Sequence, residues 1–213
     1  MDPARQISTD FLVLRKTPFS ETSLVVAGIA PELGQVHFLV RGARRLGKRQ
    51  YPLVDLFRLL HVRCRATSAE LHHWQAADLV RDFGAVARDV GTFRTAAWLA
   101  RFALANVPEG MPSPRFFHAM LTALQRLADA SATPPAAVCI SHAAVLGACL
   151  TFLDESGVLP DYRDEPETAR RCRLLLSMGL GENGVPELSQ QTWEQLRRWV
   201  ESILRWAEYT VPD

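Results

Sequence analysis

The sequence is poor in several features that would commit it to a function class. No stretch of about 18 residues is apolar and free of charge, so no transmembrane helix is expected. The opening residues MDPARQISTD hold no apolar core before a cleavage site, which argues against a signal peptide. Cysteine occurs only at Cys64, Cys139, Cys149 and Cys172, without framework spacing, and reduced, buried thiols of a cytoplasmic protein are the expectation. The phosphate loop G-x-x-x-x-G-K-[ST], the nucleophile elbow G-x-S-x-G and the zinc motif H-E-x-x-H are all missing. Gly179-Leu-Gly181-Glu-Asn-Gly184 fits the dinucleotide fingerprint by letter. That fingerprint must follow a strand and open a helix, whereas this one follows a helical pattern and meets Pro186, so a helix C-cap and loop is expected.

What is present is a folded composition, 48% hydrophobic over 213 residues, with an uneven charge. Residues 1–65 carry eleven Lys/Arg against five Asp/Glu, a net of +6, and residues 66–213 carry thirteen against eighteen, a net of −5. A basic head on an acidic body points to a polyanionic partner for the head.

The hydrophobic texture changes near residue 83. Before it, short runs are separated by turn residues: Phe11–Leu14, Ser23–Ala27, Val36–Val40, Val54–Cys64 and Glu70–Ala76. In the third, Val36, Phe38 and Val40 share one face and His37, Leu39 and Arg41 the other. Five short strands suit a small barrel, the OB-fold number, although an SH3-like barrel reads much the same. After residue 83 the period is helical. One helix is expected through Phe93, Ala97, Ala100 and Leu104, with Trp98 and Phe102 beside that stripe, and a second through Phe116, Met120, Leu124 and Leu127. A third runs from Pro134-Pro135 to about Ser156, with the Ala-rich stretch from Ala128 read as a loop and helix start. A fourth runs from Pro166 to Gly179, and a fifth over Ser189–Tyr209 with Trp193, Leu196, Val200, Ile203 and Ala207 on one face. The expected class is α+β: a five-stranded barrel over 1–82 and an α-helical domain over 83–213.

The densest chemistry lies in Arg41-Gly-Ala-Arg-Arg-Leu-Gly-Lys-Arg49, with five cations in nine residues at a strand end. Arg41, Arg44, Arg45, Lys48 and Arg49 are the candidate phosphate contacts, and Gly42 and Gly47 let the backbone approach a ligand closely. A single-strand surface also needs rings for bases, and His37, Tyr51 and Trp74 are the candidates nearby. Other clusters point less firmly to chemistry. Asp154, Glu155, Asp161, Asp164, Glu165 and Glu167 could together hold Mg²⁺ and support a Mg²⁺-dependent nuclease, but a solvated acidic loop is the simpler reading. His72 and His73, adjacent on a strand, face opposite ways and cannot ligate together. Cys139 and His142, one helical turn apart, supply only two ligands.

Three segments resemble the RecO family of recombination mediators. Phe11-Leu-Val-Leu-Arg-Lys-Thr-Pro-Phe-Ser-Glu-Thr-Ser-Leu24 resembles the family's opening strand, aromatic and Ser-Glu-Thr-Ser turn. Glu32-Leu-Gly34 with Val40-Arg-Gly-Ala-Arg-Arg45 resembles its Gly turn and basic Gly-Ala-Arg loop, and Phe152-Leu-Asp-Glu-Ser-Gly-Val-Leu-Pro-Asp-Tyr162 its helix end. The resemblance implies an N-terminal OB-fold on a helical body without enzymatic activity. It also implies binding of single- and double-stranded DNA, annealing of complementary strands, and action with RecR to help RecA replace single-strand binding protein (SSB). The implied location is cytoplasmic, at the nucleoid.

The departures are as informative. Many members carry a four-cysteine zinc site after the Pro-Asp segment. Here the chain continues Arg163-Asp-Glu-Pro-Glu-Thr168 with no cysteine until Cys172, and it ends Glu208-Tyr-Thr-Val-Pro-Asp213 without the usual basic end. Family members can dock the SSB C-terminal tail on basic residues of the helical domain, yet Pro134–Leu153 has no Lys or Arg, leaving Arg115 and Arg126 to substitute. A diverged adaptor acting mainly through protein contacts is therefore the alternative reading. The ligand pattern predicts that purified protein contains no stoichiometric zinc, and elemental analysis finding about one zinc per chain would overturn that reading.

Overall fold

The computed structural model describes residues 6–43, 54–65, 71–132 and 134–213. Two compact units are present: Met1–Gly84 with Ala103–Pro114, and Ala85–Phe102 with Arg115–Asp213.

The first unit is a closed five-stranded barrel. Its strands are β1 (Gln6–Pro18), β2 (Leu24–Ala30), β3 (Gly34–Val40), β4 (Arg58–Arg65) and β5 (Leu71–Asp82), in the order β1-β2-β3-β5-β4 with β4 returning to β1. All pairs are antiparallel except β3 with β5. This is the OB arrangement, and it decides between the two barrels that the sequence pattern left open. Alternation puts Val36, Phe38 and Val40 inside with Val26, Phe11, Val13, Leu60, Val62 and Cys64. Phe11 and Phe38 meet edge-to-face at 4.8 Å, the favoured geometry for two ring quadrupoles. Bulges, with Leu14 extra on β1 and Gln75 and Val80 extra on β5, bend those two strands, as closing so small a barrel requires.

Two strands run longer than the apolar pattern suggests. β1 starts at Gln6 and β5 reaches Asp82, six residues past Ala76. Residues 77–82, Ala-Asp-Leu-Val-Arg-Asp, are a weak strand sequence; they are held by pairing to β4 from Ala77↔Val62 to Asp82↔Arg58.

Residues 103–114 belong to this unit and close over the start of β3. Gln35 N–H donates to Pro108 O (3.2 Å), Gly110 N–H to Leu33 O (2.8 Å) and Ser113 N–H to Pro31 O (3.0 Å). The approach demands glycine at position 34. Its φ is +66°, and a Cβ there would lie 2.3 Å from Pro108 O and 2.4 Å from Met111 O.

The second unit is helical: α1 (Val90–Asn106, its last residues in the first unit), α2 (Pro114–Ala130, from Arg115 on), α3 (Pro134–Glu155), α4 (Pro166–Gly179) and α5 (Gln190–Trp206). Phe102, Phe116 and Phe152 form an aromatic centre with centroids 5.2–6.1 Å apart, and Tyr209 meets Phe152 at 4.8 Å. α3 and α4 touch at glycine on both sides, since a Cβ on Gly147 would lie 2.6 Å from Gly179 Cα. The segment Val138–Glu155 of α3 has the length and composition of a membrane span, but most of it is buried here, as in a core helix. The face of α1 differs from the expected stripe. Ala96, Trp98, Leu99, Ala100 and Phe102 are buried while Phe93 is exposed, because a helix apolar nearly all round does not mark its inner face by period. Ala128–Ala130 are the end of α2 rather than a loop.

Gly181 supports the cap reading of the glycine-rich segment. Its N–H donates to Met178 O and that of Glu182 to Ser177 O, the two bonds of a Schellman motif closing α4.

Gly34 and Gly110 both have positive φ, but a Cβ on Gly110 meets nothing within 4 Å. Gly110→Ala should cost about 1 kcal/mol of backbone strain, and Gly34→Ala at least about 2 kcal/mol more from overlap with carbonyl oxygens. Denaturant melts of the two variants check this, and equal losses would show that the clamp yields freely.

Candidate nucleic-acid interface

The outer face of the barrel is set by the β1–β2–β3 register. Because Lys16↔Val26↔Phe38 and Pro18↔Leu24↔Val40 point inward, the alternate rungs point outward: Arg15↔Ala27↔His37 and Thr17↔Val25↔Leu39. One residue beyond the paired strands the backbone of Phe19 donates to Ser23 O (3.1 Å), and Arg41 follows Val40, the partner of Leu24.

The two ends of this face differ. At the His37 end the chain covers itself. His37 Nδ1 lies 3.3 Å from a Glu109 carboxylate oxygen, and its Nε2 donates to Gln35, whose amide nitrogen reaches the carbonyls of Leu104 and Val107 at 3.0 Å. At the other end Phe19 and Arg41 are exposed, and Arg15, on β1 at the far side of the His37 rung, is exposed as well. Arg15 and Arg41 have no ion-pair partner among the described residues. Other cations of the barrel are already paired: Lys16 with Asp55, and Arg58 with Asp82 at 3.0 Å. Burial works to raise the Asp55 carboxyl, but the Lys16 hydrogen bond, the Leu56 N–H and nearby Arg58 outweigh it and hold the group below its ordinary range.

The expected site residues fall into three groups. Arg41 is the exposed residue directly after β3, and Gly42 turns the chain there with φ +73°. Arg44, Arg45, Lys48, Arg49 and Tyr51 lie outside the described residues. Trp74 faces inward, opposite Cys64, with its ring edge-on to Phe38 at 5.5 Å and to Phe11 at 6.4 Å, and its indole N–H is buried without a partner. His37 sits under the Glu109 contact. Trp74 is thus occupied by core packing and His37 by its two polar partners. Phe19 was not singled out from the sequence as a ring for bases, yet it is 62% exposed. Its signal was its place in a polar turn, Pro18-Phe-Ser-Glu-Thr22, where a large apolar residue has no core to reach.

On the far side of the barrel, Ser8 Oγ and His61 Nε2 are 2.8 Å apart, and His61 Nδ1 and Asp10 Oδ1 also 2.8 Å. The connectivity is that of a serine nucleophile, base and orienting acid. His61 and Asp10 are, however, 45% and 42% exposed on a sheet face, where water competes for any developing oxyanion. The evident effect is a side-chain tie between β1 and β4 at the Asp10↔His61 rung.

The acidic segment resolves into separate contacts. Glu155 caps α2, accepting from Arg115 N–H (3.0 Å) and Phe116 N–H (2.8 Å), and Asp154 pairs with Arg115. Asp161 pairs with Arg163, Glu165 accepts from the Thr168 hydroxyl, and Glu167 pairs with Arg171. Among the described residues no three metal-ligating side chains converge. Arg126 is likewise committed, donating to Met178 O (2.7 Å) and Asn183 O (2.8 Å) at the end of α4. The helical unit has instead a cavity of about 690 Å³ whose cations are Arg94, Arg101 and Arg197, beside Phe93, Trp98 and His142. The cations around α3 thus come from α1 and α5. Burial, aided by Arg197, pushes the His142 imidazole below its usual pKa.

A closed β1-β2-β3-β5-β4 barrel with exposed cations at one end of its outer face defines an OB-fold protein. Residues 1–83 match the family described as Recombination protein O N terminal. The chain is 31% identical over 150 residues to the DNA repair protein RecO of Anaeromyxobacter sp. (strain K), covering 70% of this chain and 56% of that relative. It is 25% identical over 126 residues to RecO of Geobacter metallireducens, covering 59% and 51%. To RecO of Bacillus velezensis it is 23% identical over 227 aligned positions, covering 93% and 88%. The chain belongs to the RecO family of DNA repair proteins. Its match spans just over half the length of the Anaeromyxobacter relative.

The cap at Glu155 has a measurable worth. Glu155→Ala should lower unfolding free energy by about 1–2 kcal/mol, as removal of helix N-caps does. Urea titration checks this, and a loss below about 0.3 kcal/mol would mean that water replaces the carboxylate without cost.

Proposed function

We propose that this protein is a non-enzymatic DNA-binding recombination mediator of the RecF-pathway type. It binds single- and double-stranded DNA, anneals complementary strands and assists recombinase loading, in the cytoplasm at the nucleoid. The observation that carries the reading is the position of Arg41: it follows directly on β3 at the uncovered end, exposed and without an ion-pair partner among the described residues, and opens the run that continues through Arg44, Arg45, Lys48 and Arg49. In this reading residues 1–82 bind DNA, with those five cations on phosphates, and residues 83–213 carry the protein contacts. RecR and RecA are the partners the family implies.

The SSB C-terminal tail is the third proposed partner, and the chemistry favours the Arg94/Arg101/Arg197 cavity over Arg115 and Arg126. An acidic, apolar peptide end suits cations beside Trp98 and Phe93. It would compete there with the chain's own last residues, since Trp98 Nε1 donates to Pro212 O (2.7 Å) and Arg101 to Asp213 O (2.6 Å).

For single strands each neutralised phosphate contributes about −0.7 to the slope of log K against log salt, so five contacts give roughly −3.5 and about a hundredfold weakening over a fourfold salt rise. Replacing Arg44 and Arg45 by Ala should cut the slope by about 1.4 and weaken all sequences alike. A salt series of fluorescence-anisotropy titrations measures this. A folded double variant with unchanged affinity and slope would sink the loop assignment and favour the adaptor reading, which an annealing assay with labelled strands then tests.

A further inference from the structure

We infer that Phe19, at the tip of the β1–β2 turn, is a base-stacking residue, and that a bound single strand runs between Phe19 and the exposed Arg41 that follows β3. The inference rests on the DNA-binding reading above and adds the ring and the path that the basic run alone does not supply.

A single exposed apolar side chain is ordinary on a protein surface and calls for no explanation. Three observations set Phe19 apart. First, the other aromatic residues of the barrel are otherwise engaged, among the described residues: Phe11, Phe38, Phe57 and Phe83 are buried, and Trp74 packs against the core. Second, the turn that carries Phe19 is tied down. Its N–H donates to Ser23 O, and the Ser23 N–H donates to Ser20 Oγ (3.2 Å), so the ring stands on a fixed backbone rather than a loose loop. Third, the register joins it to charge. The last paired rung of the three strands is Pro18↔Leu24↔Val40, and Phe19 and Arg41 are the next residues along β1 and β3, both exposed, with Arg15 four residues back along β1. Neighbouring strands are about 4.8 Å apart, which puts the Phe19 and Arg41 backbones about 10 Å apart.

A ring and a cation at that spacing serve different parts of one nucleotide chain, the ring taking a base face and the guanidinium a phosphate. In the other direction the β3 side of the face is covered, because His37 sits beneath Glu109. Single-stranded nucleic acid is the ligand that fits, since paired bases present no free face to the ring.

The test compares the whole protein with Phe19→Ala, Phe19→Leu and Phe19→Trp, each first checked for an unchanged thermal melt, against oligo(dT) and a duplex of equal length. Stacking on one ring is lost between about 5-fold and 150-fold in affinity on substitution by alanine. The expected result is a loss of that size for oligo(dT) with Phe19→Ala and equally with Phe19→Leu, and retention with Phe19→Trp. The salt slope should stay at the wild-type value, because no phosphate contact is removed, and duplex affinity should be nearly unchanged. If Phe19→Ala binds oligo(dT) as the wild type does, the stacking role is wrong while the DNA-binding reading stands. An equal loss for duplex and single strand, or Phe19→Leu behaving as wild type, also overturns it in favour of an apolar contact. If the wild type binds neither probe, the DNA-binding reading itself fails and the inference with it.

Discussion

The clamp of residues 103–114 on the start of β3 is the contact on which the barrel's usable surface depends. Three backbone hydrogen bonds, from Gln35, Gly110 and Ser113, close it, and Gly34 is the position where the chains come nearest. Backbone bonds of this kind leave no polar group of the covered strand orphaned. They also cover part of the Gln35–His37 end of the outer face, leaving both residues half-buried. What remains is the opposite end, where β1 turns into β2 and β3 runs out into the basic segment. A bare OB barrel offers a whole face to a ligand; this one offers part of it.

Charge follows the same division. The net +6 of residues 1–65 overstates the attraction available to a polyanion, because Lys16 and Arg58 are already neutralised by Asp55 and Asp82. The cations left without an ion-pair partner among the described residues include Arg15 and Arg41, both exposed, with Arg41 at the open end of the face. In the helical unit pairing goes further. Arg126 serves the carbonyls ending α4, Arg115 meets Asp154, and Arg197 and Arg205 share Glu201. Much of that unit's charge is spent on holding helices, which is why a count of Lys and Arg along the sequence does not locate a partner surface there.

How far the sequence could be read follows from how each feature is encoded. Barrel strands with strict alternation, such as Val36–Val40, and helices with a clear start, such as α4 at Pro166 and α5 at the Ser189 cap, were legible because local chemistry fixes them. β5 beyond Ala76 was not, since its order comes from pairing to β4 rather than from its own residues. The buried face of α1 was ambiguous for the opposite reason, an excess of apolar residues. Of the site, Arg41 could be placed at a strand end. His37 and Trp74 could be placed on strands, but nothing local told that Glu109 would cover one and the core engage the other. Those are contacts across 72 residues of sequence in one case and between non-neighbouring strands in the other. The acidic cluster around Asp154–Glu167 dissolved in the same way, because adjacency along a chain does not make carboxylates converge.

A surface that holds DNA by one end of a barrel has a consequence for the proposed annealing role. Two strands can pair only if the first is kept extended with its Watson–Crick edges free. Phosphate contacts leave those edges untouched, and stacking on a ring engages a base by its face rather than its edge. A deep groove reading base edges would bind more tightly but would block the incoming strand. The small open area left by the clamp, with cations and few rings, favours the first kind of binding over the second. In that proposed role, weak, salt-dependent contact would serve the mechanism, since the finished duplex must leave a face that gains little from paired bases.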